Sequence, residues 1–362
     1  MKQEVQKIIK DSAIRGIIGK CITGVILKMF KMKLSVIVPV YNGEATIEKC
    51  LNHIFNSDYK NFEVVVIDDA STDSTVEKIK KFNCRIIRLD RNRGVANARN
   101  AGAKHAKSNI LVFVDSDLYV HKDTFSKMVE IYKSNPDMRV IGAVNSGKYN
   151  TKKFGTKFLS LKLSYDYKWK KGEKYRKFSS FQSECCLIEK KIFEGVGGFN
   201  SKYKKAGVEE YEMGHRLIEK GHANYICRDV LYDHYYDSLP KRAYSLLRRT
   251  IIYTPLFFKK RKFETDGGTG TFFEFIMIFF SFTGVIAIPM ILLSSKLSVI
   301  PFSTFAIIFL LNIKFLFYLM VKEGVFFSFR SFFALLYLYI SMGLGIILGV
   351  FSLATGMGDQ SG

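Results

Sequence analysis

The chain has 362 residues, with 55 Lys and Arg against 33 Asp and Glu, a formal charge of +22. Such a length holds one large domain or two ordinary ones, and the charge suits a nucleic acid, an anionic membrane surface or a phosphorylated substrate. Six cysteines without metal-ligand spacing, two of them the adjacent Cys185 and Cys186, speak against a disulfide framework and for a reduced, cytosolic setting.

Residues 1–32 read as a basic amphipathic helix. Eight Lys or Arg are spread through the first 33 positions, and Ile8, Ile9, Ile14, Ile17, Ile18, Ile22, Val25, Ile26 and Met29 fall near helical spacing. That pattern suits an anionic inner leaflet or packing on the chain's own domain, and it lacks the uninterrupted apolar core of a cleavable leader. From residue 33 to 238 the text changes to β-branched runs separated by helical intervals. Strands are predicted at Leu34–Val40, Glu63–Asp68, Arg85–Leu89 and Ile110–Val114, an α/β pattern with a parallel sheet. Ligands of such sheets lie beyond the strands' carboxyl ends, so Tyr41-Asn42, Asp68-Asp69 and Asp115-Ser116-Asp117 should meet in one crevice.

Residues 239–271 form a second basic stretch, an interfacial helix and linker carrying Lys241, Arg242, Arg248, Arg249, Lys259, Lys260, Arg261 and Lys262. Within 272–354 follow three apolar stretches. Phe275–Leu293 and Ser331–Gly358 hold no charge, and Leu297–Val321 is apolar apart from Asn312 and Lys314. Each is long enough for a hydrocarbon layer of roughly 30 Å, and none shows the polar face of a packed soluble helix. The basic flank places the preceding domain in the cytoplasm. Residues 355–362 read as a disordered tail. Because the basic residues flank apolar spans instead of interleaving with exposed aromatics, a nucleic-acid partner is not expected.

An Asp-x-Asp after a buried strand sets two carboxylates on one side of an extended backbone, as a divalent ion against a diphosphate requires. Alone, Asp115-Ser116-Asp117 could equally be a turn or helix cap. Its company is more specific. Leu34 to Gly43, Val66 to Asp73, Asn92 to Gly102, Gly197-Gly198-Phe199-Asn200, Glu209 to Leu217 and Leu231 to Leu239 together resemble, in order, the motifs of glycosyltransferase family 2, over about residues 33–250.

The resemblance implies a GT-A catalytic domain, Rossmann-like with a mostly parallel mixed sheet, followed by an all-α transmembrane region. It implies donor contacts from Pro39, Tyr41, Asn42, Glu44, Asp68, Asp69, Arg99, Asp115 and Ser116, with Tyr41 near the base, Asp69 bonded to it, Asp68 more structural and Arg99 approaching the donor. It implies Mn2+ or Mg2+ at Asp115, Asp117 and His234, and Glu210 as catalytic base with Glu209 as its alternate. Two departures stand on the acceptor side: Glu210 replaces the family's Asp, and Phe181 to Cys186 lacks the usual glycine. The implied activity is inverting transfer from a UDP- or GDP-sugar to a membrane-associated acceptor, a polyprenyl phosphate or lipid-linked saccharide, for cell-envelope glycan. A polysaccharide synthase subunit is the alternative, though three spans are few for a channel and Gln-x-x-Arg-Trp is absent, Trp169 being the only tryptophan. Other readings are a non-catalytic basic membrane scaffold and a catalytically dead partner subunit.

Overall fold

The computed structural model describes residues 32–149, 152–203, 207–236, 238–260, 271–292 and 294–355, the side chains of 259 and 260 aside. The predicted N-terminal helix and all but the first residue of the predicted tail lie outside the described residues, Met32 excepted.

The first half alternates strand and helix: β1 (Leu34–Val40), α1 (Ile47–Phe55), β2 (Phe62–Asp68), α2 (Thr75–Ile79), β3 (Arg85–Arg88), α3 (Val95–His105) and β4 (Ile110–Val114). The strands coincide with the four predicted ones to within a residue. Every residue of β1 and β4 is buried, because helices cover both faces and a strand sealed on both sides can be apolar throughout. Successive side chains then feed opposite cores. Val36 and Val38 join the cluster under α1, whereas Ile37 joins Phe113 and Phe193 on the other face. Helix α1 shows the matching period, burying Ile47, Cys50, Leu51 and Ile54.

The second half comprises β5 (Leu118–Val120), α4 (Thr124–Ser134), β6 (Val140–Asn145), α5 (Phe154–Asp166), β7 (Tyr175–Phe178), β8 (Cys185–Glu189), α6 (Lys190–Gly195), α7 (Glu209–Glu219) and β9 (Asn224–His234). The sheet runs β3-β2-β1-β4-β8-β6-β9-β5, with β7 paired to β9. From β3 to β4 it is parallel; at β8 it reverses, Val114 standing opposite Cys185. The reversal matters for function. An antiparallel strand brings its leading loop, residues 179–184, to the edge where the parallel strands end, and β9 finishes at the same edge with His234 opposite Leu118.

After the sheet come α8 (Leu239–Lys260), α9 (Phe272–Ala287), α10 (Val299–Glu323) and α11 (Val325–Ala354). Three segments, Phe272–Leu292, Ser295–Glu323 and Val325–Ala354, are long and apolar enough to cross a membrane. They are welded to the catalytic domain: α5 and α8 share an apolar cluster with α9, α10 and α11, and Lys157 on α5 pairs with Glu323 at 2.7 Å. The predicted interfacial helix is thus packed lengthwise on α11. A Cβ at Gly345 would lie 2.6 Å from the Leu247 carbonyl oxygen, and one at Gly349 would lie 2.7 Å from Thr254 Cβ, so the missing side chains set the helix spacing. Gly345→Leu should therefore force α8 and α11 apart at a cost of about 1–3 kcal/mol, read as a lowered unfolding temperature in detergent, while Leu344→Val on the exposed side of the same turn leaves it unchanged.

Candidate active site

The loops that end β1 and β2 are locked together by their own side chains. Val40 stands opposite Asp68 in the ladder, so the two loops leave the sheet side by side. Asn42 and Ala70 both adopt the left-handed region, with φ of 49° and 64°, a conformation that costs a non-glycine residue about 1–2 kcal/mol and needs support. Hydrogen bonds supply it. Asn42 accepts from the Thr72 N–H at 2.8 Å and its own N–H donates to Ser71 Oγ. The Asp68 carboxylate accepts from the Ser71 N–H and faces Arg88 Nε at 3.2 Å.

Asp69 acts one loop further on. Its two oxygens accept the N–H groups of Arg93 and Gly94, each at 2.8 Å, which fastens the start of α3. Gly94 opens that helix at φ 87°, where a side chain would be strained. Beside Asp69 lies a cavity of about 190 Å³ lined by Pro39, Val40, Tyr41, Asp69, Val95, Ala98, Asp115, Ser116 and Asp117. Of the expected donor residues, Asn42, Glu44, Asp68 and Arg99 do not line it. Glu44 is spent on the neighbouring loop, accepting from the Ser74 N–H.

Arg99 lies beneath this cavity at 1% exposure. One guanidinium nitrogen donates to Asp115 Oδ1 at 2.8 Å and the other to Glu209 Oε1 at 3.2 Å. The residue expected to approach the donor instead bridges the end of β4 to the start of α7. The reason is burial: a desolvated guanidinium needs carboxylates, and these two are the ones it meets.

Asp117 and His234 meet because β5 and β9 pair: Leu118 faces His234 and the Tyr235 N–H donates to the Asp117 carbonyl. His234 Nε2 lies 3.8 Å from Asp117 Oδ2, and Nδ1 lies 2.7 Å from the Tyr235 carbonyl oxygen. A carbonyl only accepts, so Nδ1 carries the hydrogen and, in the neutral ring, Nε2 presents a lone pair toward the carboxylate. The ring is held flat on Tyr236, centroids 4.1 Å apart. Among the described residues no three His, Cys, Asp or Glu form a ready metal cluster, since Asp115 turns toward Arg99. One carboxylate and one imidazole with an open side nevertheless fit Mg2+ or Mn2+, which complete their shells with phosphate oxygens and water. Burial and the charge of Asp117 push the Asp115 carboxyl up to about 7, against the pull of Arg99.

Glu209 and Glu210, adjacent in sequence, have different surroundings. Glu209 is fully buried and saturated, taking N–H groups from Gly207 and Val208 on one oxygen and Arg99 on the other. Glu210 is half-buried, and among the described residues its carboxylate accepts only the Ser183 hydroxyl, at 2.6 Å. Desolvation, with the charges of Glu209 and Glu184, raises its carboxyl above the ordinary value despite Arg249. A carboxylate that is reachable, oriented and raised is the one suited to take a proton at neutral pH.

Comparison with known proteins now bears on this arrangement. Residues 35–197 match the family described as glycosyl transferase family 2. The match covers under half of the chain, and through it this segment is similar to glycosyl transferase family 2. Its relatives include Glycosyltransferase GlyA of Streptococcus pneumoniae, 33% identical over 201 residues covering 53% of this chain and 27% of GlyA. Another is the poly(ribitol-phosphate) beta-N-acetylglucosaminyltransferase TarS of Staphylococcus aureus, 42% identical over 100 residues covering 26% of this chain and 18% of TarS. The chain thus spans less than a third of either relative. Among solved structures, mannosyltransferase PcManGT of Pyrobaculum calidifontis in complex with GDP-Man and Mn2+ is similar with a TM-score of 0.49 at 19% identity, covering 90% of this chain and 86% of that one.

Around the cavity the structure adds residues that sequence reasoning did not single out. Ser183 orients Glu210, and Glu184 accepts the Tyr232 hydroxyl at 2.5 Å. Although burial opposes it, His234, that hydroxyl, Arg249 and Arg242 together hold the Glu184 carboxyl below its usual value. Both glutamate neighbours sit in the segment 181–186 where the family's glycine is missing. Replacing Arg99 by Met should strand Glu209 and Asp115 without their cation and cost about 3–5 kcal/mol, measured as a lower unfolding temperature; the double variant Arg99→Met, Glu209→Gln should recover part of the loss.

Proposed function

We propose that the chain transfers a sugar, with inversion, from a nucleotide-sugar donor, UDP- or GDP-linked, to an acceptor at the membrane surface. One observation carries the reading. Arg99 holds Asp115 of the cavity and Glu209 on a single guanidinium, which ties the start of α7, where Glu210 follows Glu209, to the cavity that Asp69, Asp115 and Asp117 line. One raised carboxylate on the acceptor side is what a single in-line displacement needs.

The donor's base and ribose fit between Tyr41, Pro39 and Asp69, with its diphosphate toward Asp117. A Mn2+ or Mg2+ ion held by Asp117 and His234, with Asp115 adjacent, supplies charge neutralisation for the leaving diphosphate. The remaining work belongs to the chain. Ser183 fixes the Glu210 carboxylate, which takes the acceptor's proton as the acceptor oxygen closes on the anomeric carbon, and Glu184 keeps a negative charge beside His234. The apolar helices bring a membrane-borne acceptor toward Glu210, and the basic residues ahead of them support a cytoplasmic placement of the domain.

Purified chain in detergent, offered radiolabelled UDP- and GDP-sugars with a membrane lipid extract, tests the reading. Glu210→Gln should lower kcat about 10²–10⁴-fold with an unchanged nucleotide Kd; a variant with full turnover overturns the base assignment. Because the Glu210 carboxyl is raised, the wild-type rate should fall as pH drops through that raised value, a limb the Gln variant lacks. The same shift favours the protonated folded state, so Glu210's contribution to stability moves opposite to the rate. In a separate measurement, Asp117→Asn and His234→Ala should each reduce the metal-dependent part of nucleotide affinity about 10–100-fold, leaving metal-free binding as it was; equal affinity with and without Mn2+ in the wild type would remove the metal from the site.

A further inference from the structure

The loop that joins α5 to β7, residues 167–174, is built around an arginine that takes no part in the cavity at Asp115. Arg176 donates to the carbonyl oxygens of Tyr167 and Lys168, at 2.6 and 2.9 Å, and forks onto both oxygens of Glu173, at 2.9 and 2.6 Å. Its guanidinium also lies over the Trp169 ring, 5.1 Å from the centroid. Glu173 in turn accepts the Lys170 N–H at 2.9 Å. These bonds hold a conformation that needs holding, since Lys168 sits in the left-handed region at φ 45°, where a side chain is unfavourable. The loop is therefore fixed, and its one acid is spent inside it.

What the loop leaves over is positive charge. Lys168, Lys170, Lys171 and Lys174 are all exposed, and none of the four pairs with a carboxylate among the described residues, Glu173 being held by Arg176. Like charges this close repel one another, so a rigid display of them costs the fold and is relieved by an external anion. The position of the loop says which anion. Lys168 Nζ lies 5.1 Å from the centre of the Phe273 ring, and Phe273 is the second residue of the apolar segment Phe272–Leu292. Phe272, Phe273 and Phe275 are exposed there, as aromatic side chains are where a span meets the headgroups. A lysine stem running along such a ring delivers its ammonium to the headgroup layer.

We propose that the 167–174 loop docks on the anionic phospholipid headgroups around the start of α9 and sets the depth at which the sheet domain, welded to the apolar helices, rides on the bilayer. This surface is separate from residues 1–32 and from the basic stretch on α8. The proposal does not depend on the transferase reading; it needs only that the apolar segments cross a membrane.

Trp169 is the only tryptophan of the chain and is half-buried within the loop, so its fluorescence reports the contact directly. The whole chain is placed in nanodiscs of phosphatidylcholine alone or with about 30 mol% phosphatidylglycerol, and quenching by neutral acrylamide is measured. Anionic lipid should lower the Stern–Volmer constant about twofold, and about 0.5 M salt should restore it. The combined change Lys170→Gln, Lys171→Gln, Lys174→Gln should abolish the difference between the two lipids. The same number of charges removed at the exposed Lys80, Lys104 and Lys107, on the parallel half of the sheet, should leave it intact. Both triple variants should keep the wild-type unfolding temperature in detergent, which reports the fold. Equal quenching in the two lipids, a difference that survives the loop changes, or one lost equally in the control variant overturns the proposal. Protection by soluble poly-glutamate with none by anionic lipid would assign the loop to an acidic protein and overturn it too. A chain that nanodiscs fail to retain would remove the membrane spans, and the proposal with them.

Discussion

A guanidinium at 1% exposure holds the two halves of the domain together. Arg99 belongs to α3, Asp115 ends the parallel half of the sheet, and Glu209 begins a helix 110 residues further along. Burying one ion costs several kcal/mol, so the contact is tolerated only with both carboxylates in place, and both depend on it in turn. The consequence is a division of labour among acids. Asp115 is held at the cavity it lines, Glu209 is saturated by Arg99 and two backbone N–H groups, and Glu210, the next residue on the helix, is left half-buried beside them.

The sheet reversal decides which loops meet at the carboxyl edge. Parallel strands deliver Tyr41, Asp69 and Asp117 from loops that follow them, which builds the cavity these residues line. The antiparallel strand β8 delivers Ser183 and Glu184 from the loop that precedes it, and the backbone N–H of Phe181 donates to the Glu210 carbonyl. The two sets of loops therefore share an edge yet come from segments with opposite direction. The absent glycine at 181–186 falls entirely in the loop whose Ser183 bonds Glu210.

How much was legible in the sequence follows from what each feature depends on. The four strands of the parallel half were readable because each is sealed on both faces and must be apolar end to end. The pairings of β5 with β9 and β7 with β9 were not, since β5 has three residues and β7 is half polar; their placement is set by partners over a hundred and about fifty residues away. Arg99 was visible as a motif residue, but its role was not, because Glu209 meets it only through the tertiary fold. Arg242 and Arg249 were read with Lys241 and Arg248 as one basic belt. Their spacing of seven, in phase with buried Leu246 and Thr250 to within a residue on either side, held the signal that separates inward from outward cations.

That separation bears on what the basic helix contributes to the fold. If α8 lay free on a membrane surface, its arginines would be screened by headgroups and water, and their attraction for any one phosphate would be weak. Packed instead along α11 through Gly345 and Gly349, the helix holds Arg249 half-buried, where its charge is felt by Glu210. A cation there is screened less than one at the surface, and it is fixed relative to Glu210 by the same helix packing that fixes the apolar segments relative to the sheet. The helix pair thus fixes α8 against α11 much as the sheet edge fixes the loops around Asp115, and Arg99 ties those loops to α7.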